Sequence, residues 1–215
     1  MITLIIIAIT VGISVLTMND HDLKNKYMFN PYAISRYGEW WRFFSHGVLH
    51  AHFPHLFFNM YALYLFGTFV EKEFKTDDLF GPIGGAAVYL LLYVGGLVMS
   101  SIYTYFKQKN NSAYNALGAS GAVSAVVFSA ILLNPLMKMG LMVIPIMVPA
   151  WIFGTLYLVI SWILARRNIG NVGHDAHFWG SVFGFILPII FKPALFQIFV
   201  IQLKMFFLYG GNIFS

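Results

Sequence analysis

The stretch Asn115-Ala-Leu-Gly-Ala-Ser-Gly-Ala122 places Ser120 in a Gly-x-Ser-Gly motif, at the start of an apolar run that extends to Leu133. The run predicts a buried helix, and Asn115 or a neighbouring polar residue can cap its first turn. Gly118 lets the backbone come close to any group on which Ser120 acts, because it carries no side chain. On its own, the stretch is more typical of a helix end at which serine is only a small packing residue.

The composition places the chain in a membrane. Of its 215 residues, 59% are hydrophobic and 10% are charged, whereas soluble domains have about 45–50% apolar and about 25% charged residues. A helix needs about 20 apolar residues to cross a bilayer. Six segments are long enough, at roughly residues 2–18, 54–70, 80–106, 118–134, 141–164 and 172–191. The sequence therefore predicts an all-α polytopic membrane protein, with one six-helix bundle over residues 1–192 in a lipid bilayer.

Two further segments lie outside these spans. Residues 19–53 are too many for a structureless connection in a compact protein, so we expect a folded first loop. Its tryptophans, Trp40 and Trp41, suit a membrane interface and place the loop partly in the outer leaflet. Residues 193–215 form an apolar C-terminal tail, in which 194–209 are predicted to be an interfacial helix or a partial seventh segment. The first apolar run lacks a basic start and a cleavage site, so it is interpreted as a retained helix.

Charge and cysteine content narrow the possible functions. The chain has no cysteine, which excludes disulfides, a thiol nucleophile and thiolate metal ligands. Its net charge of +5 is interpreted as orienting the chain in a membrane, and no nucleic-acid partner is predicted. Of the 13 lysines and arginines, five fall on the side of the predicted bundle that holds the N-terminus and eight on the other. Charge alone therefore favours an external N-terminus, which conflicts with the internal N-terminus that a first loop in the outer leaflet requires.

Polar residues inside apolar helices are costly and mark function by default. Ser120 lies in the fourth predicted span and His177 in the sixth. Both spans carry small residues four apart, which let helices approach closely. These residues are Gly121 and Ala125 in the fourth span and Gly180 and Gly184 in the sixth. Because the two spans run parallel, Ser120 and His177 can come within hydrogen-bond reach, which predicts a serine–histidine dyad. The alternative is that His177 has a structural role and only forms a hydrogen bond to a neighbouring helix.

A group of histidines precedes the second span. His55 and Asn59 lie four residues apart and share one helix face. His46, His50 and His52 come just before them, which raises a metal site as an alternative. No metal is predicted, because the middles of the apolar segments lack carboxylates and no His-Glu-x-x-His motif occurs. The same lack of carboxylates disfavours an aspartyl protease.

Together these residues resemble the rhomboid family of intramembrane serine proteases. The matching motifs follow the family's order along the chain: Trp41-Arg42, His50, His55-x-x-x-Asn59, Gly118 to Gly121 and Ala176-His177-x-x-Gly180. The resemblance implies that Ser120 is the nucleophile and His177 the general base, without a third, acidic member. It also implies that the Ser120 backbone N–H and the side chains of His55 and Asn59 stabilise the oxyanion. The residues with implied structural or packing roles are Trp41, Arg42, Gly118, Gly121, Gly180 and Gly184.

The resemblance further implies an intramembrane serine endopeptidase that needs no cofactor. Its partners would be membrane proteins, cut within single transmembrane helices in a cavity open to the outer aqueous side. The alternative is a catalytically silent rhomboid-like protein that binds membrane helices for quality control; the presence of both Ser120 and His177 disfavours it. A transporter or channel is a third interpretation, but the spans show no charged pathway. From the size of the chain we expect a bacterial inner (plasma) membrane location.

Two positions differ from the family pattern. Ser124 stands where better-known bacterial members carry a tyrosine that packs on the histidine ring. Leu117 stands where a glycine is frequent. We therefore expect His177 to be oriented by another group, and the candidates are Phe178, Trp179 and an aromatic residue of the fifth helix.

Overall fold

A computed structural model describes residues 1–140, 146–167 and 173–209 of the chain, which are mostly helical, as predicted. The helices are α1 (Ile2–Thr17), α2 (His21–Tyr27), α3 (Pro31–Tyr37), α4 (Arg42–Ser45), α5 (Phe53–Ala62), α6 (Thr68–Phe74), α7 (Gly81–Gln108), α8 (Ser120–Leu133), α9 (Ala150–Arg167), α10 (His174–Phe191) and α11 (Ala194–Leu208). A 3₁₀ turn, His46–Val48, follows α4, and a π-helical turn, Leu63–Gly67, joins α5 to α6.

The fifth predicted span begins later than the sequence suggested. Two short antiparallel strands, β1 (Lys138–Met139) and β2 (Val148–Pro149), pair directly before α9. The predicted helical start near residue 141 lies outside the described residues, and residues 146–149 are not helical. Pro149 has no N–H to donate and biases Val148 towards an extended backbone. The helix therefore begins only at Ala150.

Helix length and composition support a part of the predicted membrane topology. Among the described residues, α7 is the one helix long and apolar enough to cross a bilayer by itself. Helices α10 and α11 meet that criterion together, but they are bent by 114° at their junction. Helices α1 and α8 are apolar and shorter. The count of six spans, and the domain boundary at residue 192, therefore stay predictions.

Helix α8 lies at the centre of the bundle and packs against both α7 and α10, which also contact each other. It is buried all round, because its sequence is apolar or small on every face. On α7, a side chain added at Gly96 would come within 3.0 Å of the Ala122 backbone. Small residues thus set the distance between the two helices and fix where the first turn of α8 lies.

The carboxylate of Glu71 joins α1 to α6. It accepts hydrogen bonds of 2.8 Å from the backbone N–H groups of Ile2 and Thr3, and one of 2.7 Å from the Thr3 hydroxyl. A carboxylate at a helix N-terminus satisfies N–H groups that have no partner within the helix and interacts favourably with the helix dipole. Glu71 therefore anchors the start of α1 against the middle of α6.

The first loop is folded, as predicted, into α2, α3, α4 and the 3₁₀ turn. Arg42 is buried and donates from Nη1 to the carbonyl oxygens of Asn25 and Met28, at 2.9 and 2.7 Å. Trp41, at the start of α4, is half-exposed. Phe29 pairs with Ala116 through two backbone hydrogen bonds, of 2.8 and 3.0 Å. The loop is thereby fastened to the segment that leads into α8.

Candidate active site

Ser120 is the first residue of α8 and follows a backbone arrangement that requires glycine. Gly118 has φ +123°, in the region that favours glycine, and its N–H donates to the His46 carbonyl at 2.9 Å. A Cβ at Gly118 would lie 2.8 Å from the His55 ring. The glycine therefore allows the imidazole of His55 to approach the backbone just before Ser120.

The predicted cap of α8 is wrong. The residue before the helix is Ala119, which makes no side-chain capping bond. Asn115 instead accepts a hydrogen bond of 2.9 Å from the Asn30 side chain of the first loop. The first backbone N–H groups of α8, including that of Ser120, thus receive no side-chain cap from the residue before it.

His177 lies on the first turn of α10, alongside the start of α8. A side chain at Gly180 would overlap the Gly121 carbonyl, and one at Gly184 would overlap that of Ala125. From the first contact to the second, the residue number rises by four in both helices, so α8 and α10 run parallel. The Ala176 carbonyl lies 3.5 Å from a Cβ built on Gly121. The backbone next to His177 is therefore level with the backbone next to Ser120.

Ser120 and His177 both line two cavities. The first has a volume of about 740 Å³ and lies beneath the first loop. Its lining includes His55 of α5 and several hydroxyl groups of α7, which are those of Ser100, Ser101 and Thr104. Such a lining can hold water beside the serine. Sequence reasoning missed these hydroxyls as part of the site, because paired serines in an apolar helix are read as packing residues.

The second cavity has a volume of about 690 Å³ and is called the apolar cavity below, because aromatic and aliphatic side chains make up most of its lining. It lies between α5 and its π-helical turn on one side and α8 and α9 on the other, and its lining includes Phe58, Phe66, Phe153 and Tyr157. Aromatic and aliphatic walls favour an apolar occupant. Ser120 and His177 thus lie where the two cavities meet.

The predicted oxyanion donors are placed by the first turns of α5. The His55 N–H donates to Nδ1 of His52, the residue before the helix, at 3.2 Å. Asn59 is buried, lines the apolar cavity, and donates from Nδ2 to the His55 carbonyl at 2.9 Å. His55 lines the first cavity. The two side chains therefore come from the same helix, and each lines a cavity that Ser120 also lines.

The ring next to His177 belongs to the fifth of the predicted spans. Tyr157 of α9 stacks on the imidazole with ring centroids 6.0 Å apart and planes at 28°. Its hydroxyl lies 2.9 Å from the Ser124 hydroxyl. The predicted aromatic of helix five is thus present, whereas Trp179 packs on Tyr103 with ring centroids 5.7 Å apart.

The other histidines of the first loop are engaged in local contacts. The Ser14 hydroxyl donates to the Val48 carbonyl at 2.7 Å, so in its 2.8 Å contact with His50 the Nδ1–H of His50 is the donor. Burial lowers the pKa of His50 to about 3 and that of His46 to about 4, which keeps both rings neutral at pH 7. In the described part of the chain, no three His, Cys, Asp or Glu residues are grouped to hold a metal ion.

The acid nearest to His177 along the chain is paired elsewhere. Asp175 lies in the first turn of α10, and its carboxylate accepts a hydrogen bond of 3.1 Å from the Lys107 ammonium group at the end of α7. This ion pair connects the start of α10 to α7.

Comparison with known proteins places the chain in a family. The Rhomboid domain profile matches residues 37–194. The putative rhomboid protease YdcA of Bacillus subtilis is 29% identical over 159 residues, covering 71% of this chain and 68% of that protein. The rhomboid protease GluP of the same organism is 31% identical over 186 residues, which are 81% of this chain and 32% of GluP.

A third relative, the rhomboid protease AarA of Providencia stuartii, is 26% identical over 111 residues, or 48% of this chain and 37% of AarA. The matched regions thus span about two thirds of YdcA and about a third of GluP and AarA. The domain profile covers well over half of the 215 residues and includes Ser120, His177, His55 and Asn59. The chain therefore belongs to the rhomboid family.

Proposed function

We propose that this chain is an intramembrane serine endopeptidase that cleaves single transmembrane helices of membrane-protein substrates through a Ser120–His177 dyad. The observation that carries the proposal is the position of both side chains on two cavities: the lining of one includes three hydroxyl groups of α7, and aromatic and aliphatic side chains make up most of the lining of the other. Proteolysis in a membrane needs both environments, because the substrate is apolar and the second half of the reaction consumes water. Rhomboid family proteins are integral membrane proteins, which agrees with this setting.

The chemistry uses the dyad twice. The Ser120 Oγ attacks the scissile carbonyl while His177 takes the hydroxyl proton. His177 then gives that proton to the leaving amine, and an acyl group remains on Ser120. A water from the first cavity, deprotonated by His177, attacks the acyl carbonyl; the bond to the Ser120 Oγ breaks, the oxygen takes the proton back from His177, and the carboxylic product leaves. The hydroxyls that line this cavity support the step because they can hold water within reach of Ser120.

The negative oxygen of each tetrahedral intermediate needs donors. The Ser120 N–H belongs to the first turn of α8, whose N–H groups have no partner within the helix, and the helix dipole there also favours negative charge. His55 and Asn59 add side-chain donors in our proposal, and it is supported because each of them lines a cavity that Ser120 also lines. In a well-studied serine protease, one such donor contributes about 2.7–4 kcal/mol.

The length of α8 supports a site below the membrane surface. Its 14 residues span about 21 Å, less than the apolar thickness of about 30 Å in a bilayer. If α8 is the fourth of six spans, Ser120 then lies inside the bilayer, with the first loop above it on the outer side. A substrate helix in the apolar cavity must unwind near the cut, because a formed helix hides its carbonyls in hydrogen bonds.

The test is cleavage of a single-span membrane substrate by the purified protein in detergent. We expect the wild type to cleave, Ser120→Ala to lose cleavage, and a chelator to leave the wild-type rate unchanged. Conversely, cleavage by Ser120→Ala would refute the nucleophile. Failure of the wild type on several substrates would favour the silent helix-binding alternative, and loss with chelator would point to a metal.

A further inference from the structure

The Tyr157 ring is enclosed by aromatic groups from three helices. Besides His177, it contacts Phe153 with ring centroids 6.3 Å apart and Phe128 with centroids 5.9 Å apart. The Phe153 ring lies almost parallel to it, at 16°, and the Phe128 ring is tilted by 46°. The ring thus has little room to turn away from the imidazole.

Two contacts between α8 and α9 determine where this ring lies. One turn before Tyr157, a Cβ at Gly154 would come within 2.9 Å of the Ile131 side chain, so α9 packs close to α8. At the other end, the Tyr157 hydroxyl bonds the buried Ser124 hydroxyl at 2.9 Å. Ser124 lies one helical turn after Ser120. The bond therefore fixes the position of the tyrosine relative to the helix that carries the nucleophile.

A catalytic imidazole needs such support. The ring of His177 lies on two cavities, and rotation about the bond to an aromatic ring has a broad energy profile. A general base must lie about 2.6–3.2 Å from the proton that it removes, and a displacement of about 1 Å can cost about 10²-fold in rate. A parallel ring on one face of the imidazole restricts that rotation.

We propose that Tyr157 is a positioning residue for His177 and that Ser124 acts through it, by holding the tyrosine hydroxyl. The proposal rests on the proposed dyad and deepens it. The position four residues after Ser120 thus contributes a hydroxyl that fixes a ring from α9. The orientation of the base depends on α9 remaining packed against α8.

The experiment compares the rate at which a small fluorophosphonate labels Ser120 in matched variants. Because this probe is not a helix, its rate reports the dyad and not the docking of a substrate in the apolar cavity. We expect Tyr157→Leu to lower the labelling rate about 10²-fold and the kcat for a membrane substrate by a similar factor. Tyr157→Phe keeps the ring and should remain within a few-fold of the wild type. Trp162→Leu removes an exposed aromatic from the same helix, away from both cavities, and serves as the control.

A double-mutant cycle tests the role of Ser124. Ser124→Ala and Tyr157→Phe each remove the same hydroxyl–hydroxyl bond, so the double variant should be no slower than the slower single variant. Multiplied effects would show that Ser124 acts independently of Tyr157 and would overturn that part of the proposal.

The outcomes separate this proposal from the one on which it rests. Labelling of Tyr157→Leu at the rate of Trp162→Leu, with an active wild type, would overturn the role of Tyr157 alone. A wild type that neither cleaves nor labels would overturn the dyad and this role with it. If Tyr157→Leu fails to fold, Tyr157→Phe still tests the proposal. A labelling rate about 10²-fold below the wild type in folded Tyr157→Phe, which keeps the ring, would contradict a role for ring stacking.

Discussion

Replacing His177 with alanine is expected to lower cleavage of a membrane substrate by at least about 10³-fold. The reason is that Ser120 is not nucleophilic while it keeps its proton, and Asp175, the acid nearest to His177 in sequence, is paired with Lys107. The measurement is turnover of a fluorescent single-span substrate in detergent. His21→Ala is the matched control, because it removes an exposed imidazole from α2.

The variant should also remain folded. The His177 side chain faces two cavities, so its removal leaves the contacts of Gly180 and Gly184 with α8 unchanged. We expect the thermal midpoint of His177→Ala to stay close to that of His21→Ala. Turnover at the wild-type rate in the folded variant would contradict the assignment of His177 as the base.

Gly184→Leu is expected to lower the free energy of unfolding by about 3 kcal/mol or more and to abolish cleavage. A side chain at this position overlaps the Ala125 carbonyl, which is backbone and cannot move aside as a flexible side chain would. Helices α8 and α10 must then separate, and the separation also parts Ser120 from His177. The measurement is the thermal midpoint in detergent together with turnover.

Gly12→Leu provides the matched control for this change. Gly12 also lies within an apolar helix, α1, but an added Cβ there has no neighbour within 4 Å. The same substitution therefore makes the same change in helix propensity without an overlap. Equal thermal midpoints for the two variants would contradict the proposed role of close packing between α8 and α10.

Close helix contacts could be predicted from the sequence because they leave a pattern in it. Small residues four apart face the same side of a helix, so Gly180 and Gly184 marked the face of α10 that meets α8. Gly118 was predictable for a similar reason, since a glycine before a candidate nucleophile suggests a close approach of another group. The structure shows that this group is the His55 ring.

Features that depend on distant partners could not be predicted from local sequence. Asn115 is a good capping residue by type, but its side-chain oxygen accepts a hydrogen bond from Asn30 of the first loop. The start of α9 was missed because apolar residues before Pro149 continue the hydrophobic run, although Val148 lies in a strand and residues 146 and 147 are not helical. Hydrophobicity predicts burial and does not by itself distinguish the two structures.

The identity of the ring on His177 also lay beyond the sequence. Helix α9 carries Trp151, Phe153, Tyr157 and Trp162, and each is a plausible aromatic partner by composition. Its rotation is set by the contact of Gly154 with α8, a feature of the packed structure. Only the assembled bundle shows that Tyr157 faces both Ser124 and His177.

The most direct measurement of the central claim is to locate the modified residue after reaction with a fluorophosphonate. The Ser120 Oγ would attack phosphorus, fluoride would leave, and the serine proton would pass to His177. Mass spectrometry of the digested protein should find the phosphonyl group on Ser120 in the wild type and little of it in His177→Ala. Modification at another residue, or equal labelling of Ser120 in both proteins, would contradict a Ser120–His177 dyad.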